Sequence, residues 1–130
     1  MTAAGPLILV VDDVELMRDL LGLQLGRAGC RVDHAVDGAA ALAALHAQRY
    51  DLVLMDRAMP NLDGCEATRA WRAHEAAHAL PLTPIVGVGG QPDDHRDCLA
   101  AGMQDFMVKP LTIAAVDVLL KRFLTPAQLP

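Results

Sequence analysis

The stretch Leu7-Ile8-Leu9-Val10-Val11-Asp12-Asp13 decides how this chain folds. Its apolar run is continuous rather than alternating, rich in β-branched residues, and too short for a helix. That is the pattern of a strand buried on both faces. Two carboxylates follow it directly. The pattern then recurs. Asp51-Leu52-Val53-Leu54-Met55-Asp56 is an apolar interior bracketed by two acids, and Ile85-Val86-Gly87-Val88 runs into Gly89-Gly90. Asp105 to Val108 runs into Lys109-Pro110. Arg31 to Val36 reads as one more strand, with Val32, His34 and Val36 alternating against Arg31, Asp33 and Ala35.

Helical patterns fill the intervals. Met17, Leu20, Leu21, Leu25 and Ala28 recur at helix spacing before Gly29, placed as a C-terminal glycine. Asp37 is positioned to cap an alanine-rich helix over 39–48. Cys65 to about Ala77 is helical. Pro92 starts a helix with Asp93 and Asp94 in its first turn, where the dipole favours anions, and Gly102 ends it. Thr112 caps a last helix with Ile113, Val116, Leu120 and Phe123 on one face. Residues 1–6 read as a leader, 7–124 as one domain, and 125–130 as a tail or linker stub holding two prolines. Five strand-helix units of this kind imply an α/β fold, a doubly wound parallel sheet with helices on both faces.

Composition removes several alternatives. The chain has 130 residues, one domain's worth, with a net charge of −5 and 3% aromatic residues. An acidic balance argues against a nucleic-acid binder, and so few aromatics cannot build a base-stacking platform. Three cysteines, Cys30, Cys65 and Cys98, lie 35 and 33 residues apart, which fits neither a zinc knuckle nor a disulfide framework. They read as reduced and mostly buried. The N-terminus lacks a basic n-region, and the five-residue apolar run after it is too short for a signal core or a membrane span. The expectation is a cytoplasmic domain that makes no membrane contact through this segment. Of the 16 acids 13 are Asp, a poor helix former, so the aspartates need another explanation.

In doubly wound sheets ligands bind outside the carboxyl ends of the strands. There the chain places Asp12 and Asp13 after strand one, Asp56 after strand three, Gly89-Gly90 after strand four and Lys109 after strand five. Carboxylates gathered at one edge repel unless a cation joins them. Hard oxygen donors of this number suit Mg²⁺, which keeps several waters and takes one or two carboxylates with a substrate phosphate. An Asp beside that ion and a lysine is a plausible covalent phosphoryl acceptor. The backbone N–H groups after Asp56, at Arg57, and after Gly89 are further expected donors to the phosphoryl group. The alternative for any single acid is a cap, a turn or a strand-end residue.

These stretches carry a resemblance. Leu9-Val10-Val11-Asp12-Asp13, Leu52 through Gly64 with its Met-Asp-x-x-Met-Pro-x-x-Asp-Gly pattern, Ala100-Ala101-Gly102, and Lys109-Pro110 together resemble the receiver domain of two-component response regulators. The wording of Cys65-Glu66-Ala67-Thr68-Arg69 and of Cys98 to Met103 is most similar to receivers attached to hybrid histidine kinases. The resemblance implies a flavodoxin-like (βα)5 fold with strand order 2-1-3-4-5. It implies Asp56 as phosphoacceptor, Asp13 and Asp56 as direct Mg²⁺ ligands, Asp12 acting through water, and the Ala58 carbonyl completing the protein ligands. Lys109 would pair with the phosphoryl group, the bond before Pro110 would be cis, and Phe106 would be the switching aromatic, a position an inward core ring also explains. The implied partners are a histidine kinase domain, in the same parent chain or another, and a histidine phosphotransfer domain. A receiver of this kind catalyses only its own aspartyl phosphorylation and dephosphorylation.

One position departs. The family places Thr or Ser at the end of strand four, where the hydroxyl meets a phosphoryl oxygen; here it is Gly89. Gly90 N–H remains as a donor. A bistable loop needs contacts that differ between its two states, so the expectation is a domain that accepts phosphate but switches weakly. The second reading is a phosphorylation-independent interaction domain. A third class is raised by His74-Glu75-Ala76-Ala77-His78, which satisfies the H-E-x-x-H zinc-peptidase signature. No Glu follows Glu75 to serve as third ligand, and Pro81 and Pro84 break the extended form. The motif reads as a solvated last helical turn, with His34, His46 and His95 isolated and Trp71 in the core.

Overall fold

A computed structural model describes residues 5–129. Most of the leader expected over 1–6, and Pro130 of the tail, lie outside the described residues. The chain alternates β1 (Leu7–Val11), α1 (Glu15–Arg27), β2 (Arg31–Ala35), α2 (Gly38–Ala47), β3 (Leu52–Asp56), α3 (Gly64–Ala77), β4 (Ile85–Gly89), α4 (Asp94–Ala101), β5 (Asp105–Val108) and α5 (Ile113–Phe123). The five strands are parallel and run in the order β2-β1-β3-β4-β5.

The continuous apolar strands have a simple cause. Successive side chains point to opposite faces, and both faces are covered. Leu9, Val11, Val53, Met55 and Ile85 pack under α2, α3 and α4 with Ala41, Trp71 and Cys98. Ile8, Val10, Leu52, Leu54, Val86 and Val88 pack under α1 and α5 with Leu21, Leu25, Val116 and Leu120. Val10 lies between Leu54 and His34 in the ladder, so β1 is an interior strand beside the central β3, and its C-terminal acids stand next to the end of β3 at one sheet edge.

Caps set where the helices begin. The Asp37 carboxylate accepts the Ala40 N–H at 2.8 Å, and Thr112 Oγ1 accepts that of Ala115 at 3.0 Å. Asp63 and Glu66 form a capping box at the start of α3. α4 starts at Asp94, two residues later than Pro92 suggested, and its N-cap Asp93 makes no side-chain cap.

Helix and strand faces depart from the expected pattern. Leu20 and Ile113 are exposed, whereas Leu119 is buried. β2, at the sheet margin, buries Ala35 and leaves His34 to solvent; it ends at Ala35, one residue short of the expected Val36, which is exposed. Gln128 Nε2 donates to Asp51 Oδ1 at 2.9 Å, and Leu129 packs against the α1/α5 core. The cysteines are free and buried. Burial pushes the Cys98 thiol up to about 12, helped by Cys65 beside it.

Candidate active site

The carboxyl edge of the sheet gathers the expected acids. Asp12 leaves β1 and is 1% exposed, Asp56 ends β3 at 4%, and Asp13 is exposed. One oxygen from each of the three lies within 4.8 Å of the others. Lys109, following β5, reaches across with Nζ 3.0 Å from Asp12 Oδ2 and 3.2 Å from Asp56 Oδ1. The peptide between Lys109 and Pro110 is cis, as the resemblance implied.

Backbone close approach holds Asp56 in place. A Cβ on Gly64 would lie 2.1 Å from the Asp56 carbonyl oxygen, so only glycine lets α3 begin against the end of β3. The Asp12 carboxylate is aimed by Val14 N–H at 2.9 Å, and its carbonyl accepts Arg18 Nη1 at 2.7 Å.

The electrostatics are those of crowded anions. Burial pushes the Asp56 carboxyl up to about 6, and the Asp12 charge adds to this; Lys109 and the Ala58 N–H act in the opposite sense. Burial works to lower the Lys109 ammonium, but contact with Asp12 and the charges of Asp56 and Asp12 outweigh it and hold the lysine protonated. Asp12 Oδ2 lies at charge-pair distance from Lys109 but off a hydrogen-bonding line, and has no hydrogen-bond partner. A buried carboxylate oxygen without a hydrogen bond is costly, and a hard cation would satisfy it. The donor set therefore fits Mg²⁺.

Two expected donors behave differently. The Arg57 N–H is committed to the Val88 carbonyl at 2.8 Å, and its guanidinium pairs with Asp63 and Asp97, each at 3.3 Å. Arg57 is thus no phosphoryl donor. The backbone group that faces Asp56 is the Ala58 N–H, which strand-end counting missed by one residue because the β3–β4 ladder claims the N–H directly after Asp56. Gly90, by contrast, is exposed, with nothing within 4 Å of where a Cβ would stand.

Gly89 is filled from outside. A Cβ there would meet Asp94 Oδ2 at 2.6 Å and the Phe106 ring at 3.0 Å. Phe106 is inward and buried, and its outer face stacks on His95 at 5.6 Å and 17°. His95 is therefore not isolated.

The zinc-peptidase reading fails on Glu75. It is 1% exposed, pairs with Arg72 Nη1 at 2.7 Å and accepts the Thr83 N–H at 2.7 Å. This corrects the expected solvated turn. A carboxylate so engaged can neither ligate nor act as base. Trp71 lies in the core as expected, its indole N–H donating to Thr83 Oγ1 at 3.1 Å.

The family model of the response regulator receiver domain matches residues 8–123. This chain belongs to that family. It is a receiver of two-component signalling, and its relatives include hybrid kinases. Hybrid signal transduction histidine kinase L of Dictyostelium discoideum is 33% identical over 121 residues, covering 89% of this receiver and 7% of that protein. The CAI-1 autoinducer sensor kinase/phosphatase CqsS of Vibrio cholerae is 42% identical over 117 residues, 88% of the receiver and 16% of that protein. The receiver thus spans less than a fifth of these curated relatives. Among solved structures, the receiver domain of sensor histidine kinase PA1611 from Pseudomonas aeruginosa matches with a TM-score of 0.82 and 36% identity, over 92% of this chain and 98% of that one. That structure holds a magnesium ion in its active-site cleft. No helix among the described residues is long and apolar enough to cross a membrane.

Proposed function

We propose that this receiver, over residues 7–124, takes a phosphoryl group from a phosphohistidine of a histidine kinase onto Asp56. The observation that carries this is the convergence of three carboxylates within 4.8 Å, with Lys109 3.2 Å from the acceptor. Asp13 and Asp56 would hold Mg²⁺ directly, Asp12 through water, with the Ala58 carbonyl as a further ligand. When bound, the ion supplies neutralisation of charge developing on the transferred oxygens. An Asp56 carboxylate oxygen attacks phosphorus, the P–N bond breaks, and the imidazole leaves with the electron pair and takes up a proton. Lys109 and the N–H groups of Ala58 and Gly90 steady the phosphoryl oxygens. The domain works only on its own acyl phosphate, forming it and hydrolysing it. Its partners would be a cytoplasmic kinase domain, in the parent chain or separate, and a histidine phosphotransfer domain.

A second reading has its own observation. Gly89 lacks the hydroxyl and Phe106 already fills the space beside it, which favours a domain whose contacts do not respond to phosphate. Incubation with Mg²⁺ and acetyl phosphate, read by intact mass, separates the two. A gain of one phosphoryl group that disappears in Asp56→Asn is expected. No gain, together with no beryllofluoride-dependent shift in a folded protein, would leave only the second reading.

A further inference from the structure

The two histidines of the H-E-x-x-H stretch are drawn into one stack with a third from another helix. His74 and His78 sit one turn apart at the end of α3, ring centroids 4.2 Å from each other. His46, from the last turn of α2, brings its ring to 4.4 Å from His74, so it too is not isolated. The Trp71 indole stacks on His74 at 5.0 Å and meets His46 edge-on at 5.1 Å. His74 is thus the middle ring and is half-buried, while His46 and His78 are exposed. A cavity of about 240 Å³ opens beside it, lined in part by Gln48, Arg49 and Leu80. The stack spans the joint where α2 packs on α3.

This packing suits neutral imidazole. Uncharged aromatic rings attract one another edge to face, but each proton taken up sets like charges at ring separations of 4.2 and 4.4 Å. The surroundings offset little of that repulsion. The acid beside the rings on α3 is Glu75, and its carboxylate is engaged by Arg72 and the Thr83 N–H. The charged group beyond the end of α2 is Arg49, one more cation on the cavity wall. Asp33 is bonded to Gln48 of that wall and to Tyr50. The segment 79–84 carries no titratable side chain. Helix C-termini and the indole face favour a cation, which accommodates one proton on the stack but not three. Burial and the adjacent His78 and His46 hold His74 toward its neutral form, against a smaller pull from Glu75. His78 Nδ1 lies 2.9 Å from the His74 carbonyl oxygen, which only accepts. Nδ1 therefore bears a hydrogen in either charge state, and an added proton goes to Nε2 without breaking that bond.

We propose that His46, His74 and His78 form an acid-sensitive latch across the joint between α2 and α3. At neutral pH the uncharged rings close over Trp71. In acid the exposed His46 and His78 charge first, because water solvates them. His74 then charges against two cationic neighbours, and the stack opens. The outer rings turn to solvent and bare the indole to the cavity, while Glu75 and Arg72 keep α3 itself in place. The linkage has a definite sign. The folded state resists a proton on His74 that the unfolded chain accepts at its ordinary 6.5, so stability falls as pH falls through that value.

Histidine ring resonances of the whole chain, followed by NMR from about pH 8 to 5, test the latch. His74 is expected to titrate last of the three, below 6.5, and over a broader range than an independent site. His46→Gln and His78→Gln, both at exposed positions, should each move the His74 midpoint up toward 6.5. Trp71 is the single tryptophan and touches two of the rings, so its fluorescence reports the opening. Quenching by acrylamide, a neutral probe, should rise across the same pH range in the parent and in Asp56→Asn, and stay flat in His74→Gln. A His74 midpoint at or above 6.5, or one that either outer substitution leaves in place, would overturn the proposal. So would quenching that is flat in the parent, that still rises in His74→Gln, or whose rise disappears with Asp56 instead.

Discussion

Gly89 stands where a side-chain hydroxyl would meet a phosphoryl oxygen, and its neighbours have closed over the space. Phe106 and the Asp94 carboxylate approach so near that a Cβ would lie 3.0 and 2.6 Å from them. Restoring a threonine therefore does more than add a donor. It overpacks a buried site, which typically costs about 1–3 kcal/mol. Gly89→Thr is expected to lose stability in that range by urea unfolding, and Phe106→Leu, by shortening the opposing side chain, to return part of it. A coupling energy near zero between the two substitutions would mean that Phe106 is not what fills the space. The same clash turns the ring into a reporter. If the introduced threonine displaces it, beryllofluoride should shift the Phe106 ring resonances more in the variant than in the parent. An equal shift would show that the missing hydroxyl does not limit the response.

At the scale of one element, α3 is fixed at both ends by different means. Its first turn is pinned by the capping box and by the close approach of Gly64 to Asp56, which seats that carboxylate. Its last turns are pinned by Glu75 and Arg72. Arg72 also donates to the Gly102 and Thr83 carbonyls at 2.9 Å each and to Gln104 Oε1 at 2.8 Å, tying α3 to the loops around β4 and β5. Removing one partner of a buried ion pair costs about 3–5 kcal/mol because the other is left uncompensated. Glu75→Ala should lose stability on that scale in a denaturant titration, while Glu75→Gln, which keeps an acceptor for Thr83, should lose less. A loss below about 1 kcal/mol in Glu75→Ala would contradict the network. The contrast explains what sequence could show. Strands with both faces buried read as unbroken apolar runs, and caps lie within three residues of what they cap, so both were legible. The Glu75 bond to the Thr83 N–H and the Arg72 bonds to Gly102 and Gln104 join α3 to residues outside it, and no local pattern encodes them. Leu20 and Leu21 both fit a helical period, yet only the fold determines which one faces the sheet.

Across the whole molecule, the net charge of −5 explains little, but the sheet topology concentrates negative charge at one edge. Strand ends made the acids of that edge readable from sequence. The donor at Ala58 was not, since it depends on which backbone groups the β3–β4 ladder consumes. The concentration has a measurable cost. With Asp56 pushed up to about 6 from an ordinary value of 3.8, the folded protein keeps a proton that the unfolded chain releases. Between roughly pH 4 and 6 the folded state therefore binds more protons, and stability falls as pH rises through that window. Above it the penalty is fully present, on the order of 2–3 kcal/mol for a displacement of this size. Metal-free protein should thus be less stable at about pH 7.5 than its Asp56→Asn variant, with the difference vanishing below about pH 3, where Asp56 is protonated in both states. On the proposed function Mg²⁺ would bind the folded carboxylates and offset their repulsion, so adding it at about pH 7.5 should raise the parent's unfolding midpoint and move Asp56→Asn much less. Equal stability of parent and variant at that pH without metal would mean that Lys109 alone neutralises the edge. The fold would then hold the acid site without needing a metal ion.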